Sequence, residues 1–224
     1  MIDMIDKINA KEILIYVLGM IVLGLGLSLS TKLDLGTSAL VALPFAISHI
    51  YNLNFGNVML ASYILFIVIQ IILQIIMKKY VNIINDISQM IIAFMLTRFI
   101  NVLNAIIPEF SKLDNIFGHV CFRIFLLLIS IILIGVGSAL ALKTKYPPNP
   151  SNGLIKTIAN FSKKDVGTIK NMVDITSVLI TGIFSYIVCE KTIGIGIGTI
   201  LAMLLVGRVM YYFNKTIGKR IDAI

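Results

Sequence analysis

The chain has 224 residues, of which 58% are hydrophobic and only 13% charged, with a formal net charge of +8 and a mean hydropathy of +0.97. A soluble domain carries about a quarter charged residues. The composition therefore excludes an ordinary soluble enzyme and points to a lipid bilayer.

Residues 13–31 form the first apolar run, 19 positions without a charge. Lys7 and Lys11 precede it, and "SLS" could pass as a cleavage site. The run is longer than a signal-peptide core, however, and similar runs follow, so we read a retained first span. The connector "LGTSALVALPFAISHIYN" comes next. Its apolar core, 39–47, is about half a crossing length. Thr37 and Ser38 can cap a helix there and Pro44 can bend it, which predicts a short re-entrant or interfacial helix. Residues 57–77 give a second uncharged span, and 87–107 a third, interrupted by Arg98.

The fourth span, 124–142, is again uncharged. After it, "YPPNPSNGLIKTIANFSKKD" holds three of the five prolines and predicts a second short helix, capped by Ser151 or Asn152. The fifth span, 169–189, contains Lys170 and Asp174, and the sixth, 192–214, contains Arg208. Each run approaches the ~20 residues needed to cross the hydrocarbon core. With the N-terminus placed inside, thirteen Lys and Arg fall in inner segments and four in outer ones. That asymmetry follows the positive-inside rule and explains the basic pI near 9.5 without a nucleic-acid partner. Both termini are then cytoplasmic.

The chain repeats itself. "GLGLSLSTK" at 24–32 returns as "GVGSALALK" at 135–143, displaced by 111 positions. "NFG" at 54–56 returns as "DVG" at 165–167 in the same register. Arg98 and Arg208 match with a displacement of 110. We therefore expect a first membrane repeat over 1–110 and a second over 111–224. Three spans per repeat force the second copy to enter from the opposite face, an inverted-topology arrangement common among secondary transporters.

An arginine inside a span is costly, so Arg98 and Arg208 are candidates for binding an anionic solute in a central cavity; Arg98 is placed near mid-membrane. Ion pairing or snorkelling are their structural alternatives. Asp174 is a candidate coupling carboxylate or a counter-ion for Arg98, and Tyr63 stands at its equivalent position, 111 residues earlier. Lys32 and Lys143, beside the two connectors, are the remaining candidate solute-binding residues, or plain interfacial anchors. Small-x-x-x-small pairs, among them Gly24/Ser28, Gly135/Ala139 and Gly194/Gly198, predict close helix packing.

Cys121 and Cys189 lack metal-ligand spacing and are read as buried free thiols. His49 and His119 are isolated, and neither H-E-x-x-H nor G-x-S-x-G occurs. No catalytic residue, cofactor or metal is expected, and the chain is not read as an enzyme.

The stretch "LGMIVLGLGLSLSTKLDLGTSALVALPFAIS", the "NFGNV" that follows it, "DVGTIKNMVDIT" and "IGIGTILAMLLVGRVM" resemble the bacterial YczE/YitT-type membrane proteins over nearly the whole chain. The sequence departs from that pattern at Ala39, where proline is usual, and at "YPPNPSNG", which replaces a Gly- and Asp-containing phrase. The resemblance implies a polytopic plasma-membrane protein of a bacterium and no established substrate.

The expectation is an all-α polytopic membrane protein: about six transmembrane helices in two inverted three-helix repeats with short re-entrant or interfacial connectors. Its expected surroundings are the lipid bilayer and a small, anionic solute, in a transporter-like role. The alternative is a non-transporting subunit, a substrate-binding component or a scaffold or regulator of a larger complex, with a partner protein or a second copy of itself.

Overall fold

The computed structural model describes residues 10–113 and 119–218. Lys7, Lys219 and Arg220, counted above as inner charges, lie outside them. The described residues form eight α-helices and no strand: α1 Ala10–Thr31, α2 Ala39–Ile50, α3 Phe55–Ile76, α4 Tyr80–Ile106, α5 Val120–Lys143, α6 Pro150–Ser162, α7 Val166–Cys189 and α8 Ile197–Phe213. All but α2 and α6 are long and apolar enough to cross a membrane. A 22-residue helix such as α1 rises about 33 Å, enough for the ~30 Å hydrocarbon core. Large apolar side chains cover the outside, including Val81 at 81% exposure and Ile187 at 74%. Such a surface is consistent with a bilayer around it.

The middle of the bundle is the α1–α5 pair, which makes the most extensive helix contact. The two run antiparallel. Tyr16 near the start of α1 donates to the Pro147 carbonyl beyond the end of α5 (2.8 Å), while Arg123 in the first turn of α5 reaches the Leu33 carbonyl beyond the end of α1 (2.6 Å). Gly26 and Gly137, 111 positions apart, make this contact close. A Cβ on Gly137 would lie 2.4 Å from the Leu23 nitrogen, and one on Gly26 2.8 Å from the Ile134 nitrogen. Gly24 and Gly135 do a different job: Gly24 receives Phe99 of α4, and Gly135 receives Val209 of α8. The recurring phrase thus docks each central helix on the other and on the last helix of its own half.

Further packing keeps the same correspondence. α2 lies on α7 as α6 lies on α3, and α4 packs on α1 as α8 packs on α5. "NFG" and "DVG" are helix caps: Asn54 accepts from the Asn57 amide (3.0 Å) and Asp165 from the Thr168 amide (2.8 Å). The correspondence fails at one place, since α3 packs broadly on α4 and α7 only slightly on α8.

Four expectations need correction. α4 begins at Tyr80 rather than near 87, because Asp86 and Gln89 turn inward onto polar groups of α3 and α6. α8 begins at Ile197 rather than near 192: Gly194 has φ +80, and the connector binds the α1–α2 loop through Thr37 N to Gly194 O (3.0 Å) and Gly198 N to Leu35 O (2.7 Å). Gly194 and Gly198 are therefore not a pair on one helix face. The cap of α6 is Asn149, which accepts from the Asn152 amide (2.9 Å) with Pro150 in the first helical position. The two thiols are free as expected, but Cys121 is exposed and Cys189 half-buried.

Candidate functional site

Both short helices begin at the same place. Ser38 is the N-cap of α2 and Asn149 the N-cap of α6; they stand 111 positions apart, and both line a cavity of about 50 Å³ beside the α1–α5 pair. Leu23 and Leu27, in the second half of α1, are in its wall, so the first turn of α2 lies beside the body of α1 rather than beyond its end. At its other end, His49 borders an outer pocket with Lys32, just past α1. α2 therefore runs from the interior back out to the side on which α1 ends.

Twelve of the nineteen lining residues form pairs 111 positions apart: Leu23 with Ile134, Leu27 with Ser138, Ser38 with Asn149, Leu40 with Ser151, Val41 with Asn152, and Tyr63 with Asp174; the rest, chiefly four residues of α8, have no counterpart in the wall. In five of the six pairs the second member is the more polar or carries the more demanding polar group. One wall is therefore largely apolar and the other rich in hydrogen-bonding groups. Tyr63 is 2% exposed and hydrogen-bonds Ser151. Asp174 is ion-paired with Lys170 one turn earlier (2.5 Å), with side-chain exposures of 5% and 23%. The counter-ion of Asp174 is Lys170, and not Arg98, which was one of the readings the sequence left open.

Charge balance follows from these partners. Lys170 and Asp174 neutralise one another. Helix N-termini each carry roughly half a positive charge. The Ser38 side chain makes no capping bond, which leaves the first turn of α2 open toward the cavity. The start of α6 is closed, since Pro150 has no N–H and Asn149 takes the Asn152 and Gly153 amides, so with the ion pair neutral any pull on a negatively charged group comes mainly from the start of α2.

The other sequence candidates are elsewhere. Arg98 donates to Asn57 Oδ1 (2.6 Å) in the first turn of α3 and lies 5.3 Å from the centre of the Phe94 ring. That partner draws it toward the end of the bundle where α3 begins, away from mid-span, and it is not part of the cavity wall. Its Nε is buried without a partner. Arg208 is exposed on α8. Lys32 borders a pocket of about 570 Å³ with Asn104 and Glu109. Lys143 lies at the opposite end of the α1–α5 pair, against Gly218. The structure thus brings Asp174 and Tyr63 together and leaves the two arginines and two lysines apart.

Residue-type reasoning passed over Asn149, Ser151, Asn152 and Lys170. The available signal was "NPS": a capping residue, then proline at the first helical position, inside a membrane protein. It also passed over two ion pairs that hold the loops leading to the short helices. Arg123 binds Asp34 (3.8 Å) and Lys145 binds Glu12 (3.9 Å). Arg123 is 111 positions after Glu12 and Lys145 is 111 after Asp34, so the two pairs correspond with their charges exchanged.

No solved structure matches the chain. The YyaS protein of Bacillus subtilis (strain 168), described as uncharacterized, is 26% identical over 198 residues, which is 88% of this chain and 90% of YyaS. The family of unknown function DUF6198 matches residues 10–215, a stretch that takes in both short helices and every residue of the central cavity, and the chain belongs to that family.

Proposed function

We propose that the protein is a transporter-like membrane protein that passes a small anionic solute through the central cavity, and that it is not an enzyme. The observation that carries this reading is the pairing of the cavity wall at 111-residue separation around two inward-facing helix starts. On this reading the halves 1–110 and 111–224 are inverted repeats and the cavity lies on the axis between them. The protein sits in the plasma membrane of a bacterium with both termini cytoplasmic, which is supported by Lys145 and Lys156 on one side and Asp34 and Glu109 on the other. The likeness to YczE/YitT-type proteins belongs to the same proposal.

A cavity of about 50 Å³ has room for a few water molecules. A larger solute needs it to widen, and the slight α7–α8 contact is where the packing allows a helix to move. That same exposed α7 favours the second reading, a non-transporting subunit whose partner covers α7.

The test is flux into liposomes holding the purified protein, with a panel of labelled small anions and neutral metabolites. An anion flux that falls at least tenfold in Ser38→Leu and in Lys170→Met supports transport through this cavity. Flux equal to protein-free liposomes for every compound, together with a second protein retained through gentle purification, would favour the subunit reading instead.

A further inference from the structure

A second polar pocket, of about 300 Å³, opens between α3, α4, α6 and the loop before α6. The seam between it and the central cavity is a pair of amides. Gln70 and Gln89 donate to one another (3.3 and 3.1 Å), and Gln70 also donates to the Pro150 carbonyl in the first turn of α6 (3.3 Å). Gly153 lets them in: a Cβ there would lie 2.5 Å from Gln70 Oε1.

Asp86 lines this pocket and is 5% exposed. Its Oδ1 accepts from Gln89 Nε2 (3.2 Å), while its Oδ2 is buried with no hydrogen-bond partner. No lysine or arginine among the described residues is paired with it. Lys145 borders the pocket but is 91% exposed and reaches Glu12 instead, and Lys156 is exposed on α6. A buried carboxylate with neither a counter-charge nor a second hydrogen bond is unfavourable as an anion unless it takes up a proton or a cation supplies the positive charge. The same pocket is lined by further oxygen-bearing groups: the Gln74 and Asn82 amides, which bond one another (3.3 Å), the Thr157 hydroxyl, and the exposed Asn85 and Asn160 amides. Hard oxygen donors with a single carboxylate suit a monovalent cation, and nothing here is a soft ligand.

We propose that this pocket binds a monovalent cation whose charge rests on Asp86 Oδ2, with the surrounding amides and Thr157 completing its shell. The site lies beyond the central cavity and does not depend on an anion being transported there. A cation seated beside the Gln70–Gln89 seam is one helical turn from the start of α6, so its presence would steady that turn and the polar wall of the central cavity.

The test is thermal unfolding of the purified full chain in detergent, in a buffer whose only cation is bulky N-methylglucamine. Sodium, potassium or ethylammonium chloride is titrated in at constant ionic strength. A saturable rise in the unfolding midpoint with at least one cation in the wild type is expected. It should vanish in Asp86→Asn and persist, with altered cation preference, in Asp86→Glu. The alkali ions and the alkylammonium separate an inorganic ion from an organic amine as the source of the charge. The same rise in Ser38→Leu, a change in the wall of the central cavity that strands no charge, shows that the site is independent of that cavity. No rise with any of the three cations, or an equal rise in Asp86→Asn, overturns the proposal. Should Asp86→Asn fail to fold, Thr157→Val together with Asn85→Leu is read in its place, with a weakened response expected and an unchanged one refuting.

Discussion

The Lys170–Asp174 pair offers a quantitative test of how the central cavity is held. Its charged atoms are 2.5 Å apart, which at an effective dielectric of about 20 gives an attraction of about 6–7 kcal/mol. Taking the two ions out of water costs several kcal/mol each, so the pair as a whole contributes little net stability. Removing one partner is a different matter, because the other stays behind. The Asp174 side chain is 5% exposed and Lys170 23%, so the carboxylate is the worse orphan. Lys170→Met should therefore destabilise by about 3–5 kcal/mol, the range for breaking a buried pair. Asp174→Asn should cost about 1–3 kcal/mol, because the half-buried ammonium left behind can turn to water. The Lys170→Met/Asp174→Asn double variant, which strands no charge, should return to within about 1–2 kcal/mol of the wild type. The assay is reversible unfolding in mixed micelles, read as a double-mutant cycle. Equal costs for the two single variants, or a double variant as unstable as their sum, would refute the pairing and the burial order on which the cavity's charge balance rests.

Three further outcomes follow from the same geometry. Gly137→Leu should lower stability by about 1–3 kcal/mol or more, because its Cβ would meet the Leu23 backbone; Gly207→Ala, with nothing within 4 Å, should be neutral or gain up to about 1 kcal/mol of helix propensity, both by the same unfolding assay. Asn149→Ala should cost about 1 kcal/mol through the lost α6 cap and also reduce any solute flux, since it changes the cavity wall. Arg98→Leu should lose about 1–3 kcal/mol of stability with the Asn57 bond and the Phe94 contact, while solute affinity stays unchanged; a lost affinity would return Arg98 to the binding site.

The apolar runs were legible because a bilayer demands length and hydrophobicity before anything else, and all six appear as helices at the expected places. The half-length connector was legible for the same reason, since 39–47 is too short to cross. Boundaries were lost where a polar residue is satisfied by tertiary partners. Asp86 and Gln89 read as the edge of a span, yet they are buried inside α4 against Gln70 and α6. "GIGIG" read as helix packing, but Gly194 turns through a positive φ and Gly196 fits against the Leu35 carbonyl, a contact made with a loop some 160 positions earlier. The arginines were the strongest signal of a site because a charge in lipid is rare, but rarity does not reveal the partner. Asn57 is 41 positions from Arg98 and nothing in either stretch announces the bond. Half of the polar residues that line the cavity, Ser38, Asn149, Ser151 and Asn152, are small ones at helix starts, whose sequence signature is that of any cap.

On the duplication we propose, the paired part of the cavity wall also accounts for where the two halves differ. A cavity on a two-fold axis is lined by the same positions of both copies, so identical copies would give a symmetric site. Leu40 against Ser151, Val41 against Asn152 and Tyr63 against Asp174 break that symmetry in one direction, concentrating polarity on the second half. The loop-holding ion pairs break it in another. On the inverted duplication we propose, corresponding loops face opposite sides of the membrane, and the positive-inside rule acts on them with opposite sign. Asp34 faces out where Lys145 faces in, and exchanging their partners, Arg123 and Glu12, keeps both loops held. Each clamp thus keeps one cation and one anion at its own end of the α1–α5 pair. Exchanging the charges of one clamp, with Arg123→Glu and Asp34→Lys, keeps an ion pair available but removes the Arg123 donors to the Leu33 and Asp34 carbonyls. It should cost about 1–3 kcal/mol through those lost bonds, and a cysteine-accessibility map should still place both loops on their original sides, because the exchange leaves the number of Lys and Arg on each side unchanged. Loops found on the same side in the unaltered protein would remove the inverted duplication, and with it the reason for the paired wall.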